Sequence, residues 1–253
     1  MTDRAVDRLE GGLAGIMADH RETLVRRSLE ADYRKSRDPE EPPRHFIDLE
    51  EYDPEVMGPS WDHDHLVDRY GKESVDRWGI VPWAAEEVFL RLVEAFRQGE
   101  RERILSLSAD LSHYVADLHQ PLHTTRNYDG QLTGQRGIHA RFETKLLDRH
   151  LDEIRFVKEG PGDLGPVLPA LHRFVRESFG QVEALLKADR QAVDELPAEL
   201  KDLLGDADEY PDAYYEAMFS SLGPMLEERL NLASQRLASL WWMAWREAGE
   251  PEF

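Results

Sequence analysis

The chain of 253 residues is predicted to be all-α on three observations. Apolar residues recur at helical spacing along most of its length. No run of alternating β-branched residues is bounded by hairpin turns. Prolines and glycines fall where helices start and stop. In order, Leu9, Leu13, Ile16, Leu24 and Leu29 mark one or two helices over about 4–30, broken near Gly11 and Gly12. A polar stretch with Pro39, Pro42 and Pro43 follows. Residues 44–82 read as loop-rich, with Pro54, Gly58, Pro59, Gly71 and Gly79, and carry Trp61 and Trp78, with Trp83 just beyond. Pro82 opens a helix whose apolar face holds Val88, Phe89, Leu92, Val93 and Phe96, and Gly99 ends it.

The next helix, about 100–118, is stopped by Pro121, which cannot continue the hydrogen-bond ladder. Asp129-Gly130 marks a turn, and helical spacing resumes over 137–150. A break at 160–169 precedes a helix near 170–187, and a last helix is expected from Pro224 to Gly249. In that helix Trp241, Trp242 and Trp245 lie over an apolar stripe, which favours packing over a membrane anchor. One domain covering 1–253 is expected from the length.

The formal charge is −20, from 51 acidic and 31 basic residues, so most of the surface repels a long nucleic-acid duplex. Bound divalent ions can invert that field locally, so a phosphodiester substrate stays possible. Without cysteine there is no disulfide, thiol nucleophile or thiolate metal site, and a metal must be held by His, carboxylate or backbone. No apolar run is long enough to span a bilayer. The opening Met1–Leu9 run carries Asp3 and Asp7 and lacks the apolar segment of a secretory signal, so the chain as it stands is expected in the cytoplasm.

His113 and Asp117 lie four apart and so share a helix face. His139 and Glu143 repeat the spacing on the next helix, and His123 lies between the pairs. One such pair is ordinary on a solvated face. Two pairs plus a fifth donor read as a site for zinc or another borderline divalent ion.

The run His113-Tyr-Val-Ala-Asp-Leu-His-Gln-Pro-Leu-His123, followed by Gly137-Ile-His-Ala-Arg-Phe-Glu143, resembles the signature of the superfamily of bacterial zinc-dependent phospholipases C and fungal and plant single-strand-specific nucleases. Arg44-His-Phe-Ile-Asp48 is similar to that family's first aspartate motif. The resemblance implies a mainly helical fold with clustered zinc. Asp48, His113 and Asp117 would hold one ion, Asp117 would bridge to a second, and His123, His139 and Glu143 would hold another. His63, with His65 close behind, is the candidate for a further histidine on the first ion. The family's amino-terminal Trp and His ligands are absent, so two or three ions are expected, with that site incomplete. A lost upstream segment carrying a signal peptide would explain this and would make the protein secreted or periplasmic.

The implied reaction is phosphodiester hydrolysis, of a phospholipid headgroup or single-stranded nucleic acid, by water that the metal helps to ionise. Asp48 would also serve as general base. Trp61, Trp78 and Trp83 suit a lipid interface or simple packing, and Tyr52, Tyr128 or Trp83 suit base stacking. The alternative is a non-catalytic helical metal-binding protein with a degenerate site. A third reading takes His63-Asp64 as a His-Asp phosphohydrolase doublet, which leaves His139 and Glu143 without a role.

Overall fold

The computed structural model describes residues 1–53, 61–201, 204 and 210–252, and among them regular structure is helical throughout, with no strand. Pro54, Gly58 and Pro59 of the expected loop lie outside these residues. Four short helices open the chain: α1 (Thr2–Val6), α2 (Gly11–Asp19), α3 (Arg21–Arg27) and α4 (Glu30–Arg34). A 3-10 turn, Pro42–His45, leads into an extended step and a second 3-10 turn, Leu49–Glu51.

The segment expected as loop contains two further helices, α5 (His63–Tyr70) and α6 (Lys72–Trp78). Gly71 and Gly79 do not make it irregular; they end these helices with φ of 81° and 88°, where a side chain would be strained. Gly79 also abuts the backbone of Phe46 so closely that a Cβ would fall 2.1 Å from its carbonyl oxygen. That contact locks α6 against the extended step that follows His45.

α7 (Val81–Gln98) and α8 (Arg101–His119) are the long antiparallel pair. Pro82 lies in the first turn of α7, and left-handed Gly99 closes it: Gly99 N–H donates to Phe96 and Glu100 N–H to Ala95. Their apolar faces join α11 (Val167–Phe179) and the far half of α14 (Asp212–Glu247) in a first core that includes Phe89, Phe96, Leu111, Val115, Phe174 and Trp241. Each such side chain contributes about 1.5–3 kcal/mol on burial. Trp241 is fully buried and donates to Ser108 O at 3.2 Å, a packing role. No helix of the described residues is long and apolar enough to cross a membrane.

After α8 come the 3-10 turn Pro121–Thr124, α9 (Ile138–Ala140), a π-helical turn Arg141–Leu146 and α10 (Leu147–His150). These pack with α12 (Val182–Glu195) and the near half of α14 around a second core of Leu122, Ile138, Phe142, Leu146, Leu185, Tyr214, Tyr215 and Met218.

The expected helix over 170–187 is two helices, α11 and α12, broken at Gly180 and Gln181. The last helix begins twelve residues before Pro224, which lies inside it. Proline removes one ladder bond and costs about 3 kcal/mol. Burial of Tyr214, Tyr215, Met218 and Leu222 in the second core offsets that cost.

Candidate metal centre

His113 and Asp117 project from α8 away from its buried apolar face, one turn apart. Where α8 ends, the Pro121–Thr124 turn swings His123 back beneath Asp117, so that His123 Nδ1 lies 2.9 Å from Asp117 Oδ1. The turn-rich loop then becomes a bracket for His139. Asp129 Oδ1 accepts the N–H groups of Gly137 and His139, and the Tyr128 carbonyl accepts His139 Nδ1 at 3.0 Å. Gly137, at φ 83°, leaves room for the Arg141 guanidinium, which a Cβ there would meet at 2.8 Å. Arg141 in turn pairs with buried Asp189 at 3.0 Å and anchors the π-turn that presents Glu143. π-turns recur at functional sites because they redirect side chains within a helix.

The structure thus brings together five of the seven residues expected as ligands: His113, Asp117, His123, His139 and Glu143. It does not bring Asp48 or His63 to them. In the extended step after His45, successive residues face opposite ways. His45 and Ile47 turn inward, while Asp48 turns toward Glu50, Glu51 and Arg126. His63 opens α5, with its ring against Trp83 and Nδ1 3.7 Å from Asp64, a carboxylate fully open to solvent. His65 is exposed on the same helix.

Two residues not singled out take the vacant places: Asp32 on α4 and His45, the histidine inside the Arg44-His-Phe-Ile-Asp48 motif. The motif carried a usable signal, since imidazole is the commoner divalent-metal ligand. Asp32 carried none, because its position depends on how the short amino-terminal helices fold against α8.

Two donor groups result. In the first, His113 Nε2 is 2.9 Å from His45 Nδ1, 3.5 Å from Asp32 Oδ1 and 3.4 Å from Asp117 Oδ2; His45 Nδ1 is 3.1 Å from Asp117 Oδ2 and 3.9 Å from Asp32 Oδ1. In the second, His139 Nε2 is 2.9 Å from Glu143 Oε2 and 3.2 Å from His123 Nε2, which is 3.5 Å from Glu143 Oε2. A tetrahedral zinc site with bonds of about 2.0–2.1 Å has ligand-to-ligand edges of roughly 3.3 Å. Both groups have those dimensions. The first is a triad of Asp32, His45 and His113 with Asp117 Oδ2 beside both histidines, and the second is a triad with one side open. Asp117 turns one oxygen toward each group.

Two outer nitrogens carry hydrogen, because each meets a backbone carbonyl oxygen. His113 Nδ1 donates to Ser28 O at 2.8 Å and His139 Nδ1 to Tyr128 O. His45 Nε2 faces Glu41 at 3.2 Å, and His123 Nδ1 faces Asp117. The inner nitrogens of neutral His113 and His139 therefore carry lone pairs, aimed at His45 Nδ1 and His123 Nε2, and each calls for a cation or a proton opposite it. Oxygen partners on the outer nitrogen also orient metal-bound histidines.

The charges agree. Burial alone would lower His123, but Asp117 and Glu143 raise it to about 10. Burial would raise Asp117 and Glu143, but the neighbouring histidines hold both well below the ordinary carboxylate range. The centre is thus built to stabilise positive charge.

Beneath it, Glu41 accepts from Arg34, Tyr114 and His45, while Arg34 also reaches Asp110 at 2.8 Å. Asp110, on α8, is thereby part of this support. Glu41→Gln keeps the shape and weakens the charge-assisted bond to His45. Zinc affinity is expected to fall about 10- to 100-fold in a competition titration with a chromophoric chelator.

The centre opens into a cleft of about 370 Å³ whose lining includes Asp32, His113, Asp117, His123, Glu143 and Arg229. The volume suits a small-molecule ligand or a segment of a larger one.

No family model and no curated protein matches the chain. The resemblance to zinc-dependent phospholipases and nucleases therefore rests on the residues quoted for it.

Asp48 has a different consequence. Burial, then Glu50 and Glu51, push its carboxyl up to about 7. The folded state therefore holds a proton there that the unfolded chain, with a carboxyl near 3.9, has lost. Stability attributable to this group is present at acid pH and falls as pH rises from about 4 through 7. Asp48→Asn should raise the melting temperature at pH 8 and leave it nearly unchanged at pH 4, with zinc content unaltered. A loss of bound zinc in this variant would return Asp48 to the ligand set.

Proposed function

We propose that the chain is a zinc-dependent phosphoester hydrolase acting on phosphodiesters. The observation that carries this reading is the facing of inner imidazole nitrogens at 2.9 and 3.2 Å, with carboxylate oxygens completing each group. The donor set fits zinc: imidazole and carboxylate without sulfur, with the second group leaving one side open.

Asp32, His45, His113 and Asp117 would hold one ion, and His123, His139 and Glu143 another. Ions there would polarise a phosphoryl oxygen and favour ionisation of water near neutral pH. The chain's own groups do the rest. Asp117, buried and shared, keeps the two groups in register, and its Oδ1 orients the His123 ring. Asp32 and Glu143 have side chains 46% and 47% exposed, so they are the carboxylates able to pass a proton to solvent at the mouth of the cleft. Asp48 is not among the residues lining the cleft, and no proton-transfer role is assigned to it.

The test is zinc stoichiometry on purified protein, paired with hydrolysis of bis(p-nitrophenyl) phosphate before and after chelation. Two bound ions and a chelator-sensitive rate are expected. Tight zinc without cleavage of this ester, of lipid vesicles or of single-stranded DNA and RNA would favour a non-catalytic metal-binding protein instead.

A further inference from the structure

α14 also lines the cleft, and it contains a buried charge whose hydrogen-bonding groups are only partly answered. The Arg229 side chain is 7% exposed, yet its Nε and Nη1 have no hydrogen-bond partner among the described residues. The nearest carboxylates are Glu177, 3.9 Å from Nη1, and Glu228, 3.6 Å from Nη2. The same Glu177 oxygen lies 2.6 Å from Arg236 Nη2, so one carboxylate is shared between two guanidinium groups. Glu228 has a side chain 55% exposed, so water screens it.

Arg236 is otherwise fully engaged. Its Nη1 donates to His119 Nε2 at 3.0 Å, His119 Nδ1 is bonded to Val115 O at 2.7 Å, and the ring of Phe174 lies 4.1 Å from the guanidinium. Arg229 is thus left with ion pairs no shorter than 3.6 Å and with no hydrogen bond at Nε or Nη1 among the described residues. A buried guanidinium with free N–H groups is strongly unfavourable unless an anion completes it. Its planar fork suits the oxygens of a phosphate.

We infer that Arg229 is an anion-binding arm of the cleft, taking a non-bridging oxygen of a phosphate group set against the donor groups. The inference rests on the phosphoester reading for its substrate but is separable from it by experiment. Leu226 and Leu230 flank Arg229 in the cleft lining, so the group carried by the phosphate meets an apolar surface there.

The probe is inorganic phosphate, titrated calorimetrically into the zinc-loaded protein and into Arg229→Met and Arg229→Lys, with zinc content and melting temperature recorded for each. Arg229→Met should weaken phosphate binding at least about tenfold, the scale of losing one charge-assisted contact. Its zinc content should hold, and its melting temperature without phosphate should be equal or higher, because an unpaired buried charge has gone. A structural arginine would behave oppositely, lowering the melting temperature and leaving phosphate affinity alone. Arg229→Lys keeps the charge without the fork, and partial recovery of phosphate binding is expected even if the methionine variant folds poorly. Equal phosphate affinity in wild type and both variants overturns the inference, as does a zinc-loaded wild type that binds no phosphate. Phosphate binding lost in Arg229→Met, in a protein that never cleaves a phosphodiester, would sustain the subsite and remove the hydrolase reading.

Discussion

Asp117→Ala is expected to abolish retention of the first ion, weaken the second and lower phosphodiester turnover by at least about a thousandfold, or roughly 4 kcal/mol of barrier. Both effects follow from one side chain serving both groups. Its Oδ2 adjoins the first triad, 3.1 Å from His45 and 3.4 Å from His113. Its Oδ1 faces His123 Nδ1 at 2.9 Å. Without it, the His123 ring loses the partner that fixes its orientation, and metal ligands stripped of such partners typically lose 10- to 100-fold in affinity. Asp117→Asn separates charge from shape: it should retain the fold and still release zinc. Elemental analysis and bis(p-nitrophenyl) phosphate hydrolysis check both variants, and wild-type zinc content with wild-type rate in Asp117→Ala would remove the basis for the metal centre.

Stripping the zinc is expected to lower the melting temperature by about 10 °C, and by more as the pH rises from 6.5 to 9. An ion present at about a thousand times its dissociation constant stabilises the folded state by about 4 kcal/mol. A chain of this size shifts by about 2–4 °C per kcal/mol. The pH dependence follows from His123, raised to about 10 by Asp117 and Glu143 against the effect of burial. In the ion-free protein that protonated ring is a stabilising partner for both carboxylates. Its contribution is complete below about 6.5, the value of an unfolded histidine, and is lost as pH climbs through the folded value. Over the same range fewer protons compete for the donors, so zinc binds more tightly. Both trends widen the gap between loaded and stripped protein. Scanning calorimetry with and without chelator at several pH values measures it, and a gap that narrows with pH would contradict the assignment of His123.

The pairs His113/Asp117 and His139/Glu143 were legible in the sequence because helical periodicity alone places residues four apart on one face, and α8 and the 138–150 segment are helical. Proline and glycine likewise marked the ends of α7. What periodicity cannot convey is how separate elements meet. Asp32 lies on a five-residue helix and His45 at the end of a 3-10 turn, and both reach the centre only through the packing of α4 and that turn against α8. The motif Arg44-His-Phe-Ile-Asp48 was recognisable, but which of its polar residues faces inward depends on an extended step that reverses direction at each residue. Pro224 misled for a related reason: the rule for helix starts is local, whereas the helix runs through it because aromatic residues upstream are buried in a core assembled from distant segments.

The two donor groups are braced by different cores, one under α8 and the other under the 138–150 segment, and α14 runs through both. Its 36 residues act as a ruler between the two ion positions. Repacking anywhere along that helix can retune how far apart the ions would stand, and hence which phosphoryl geometry they span, while every ligand keeps its identity.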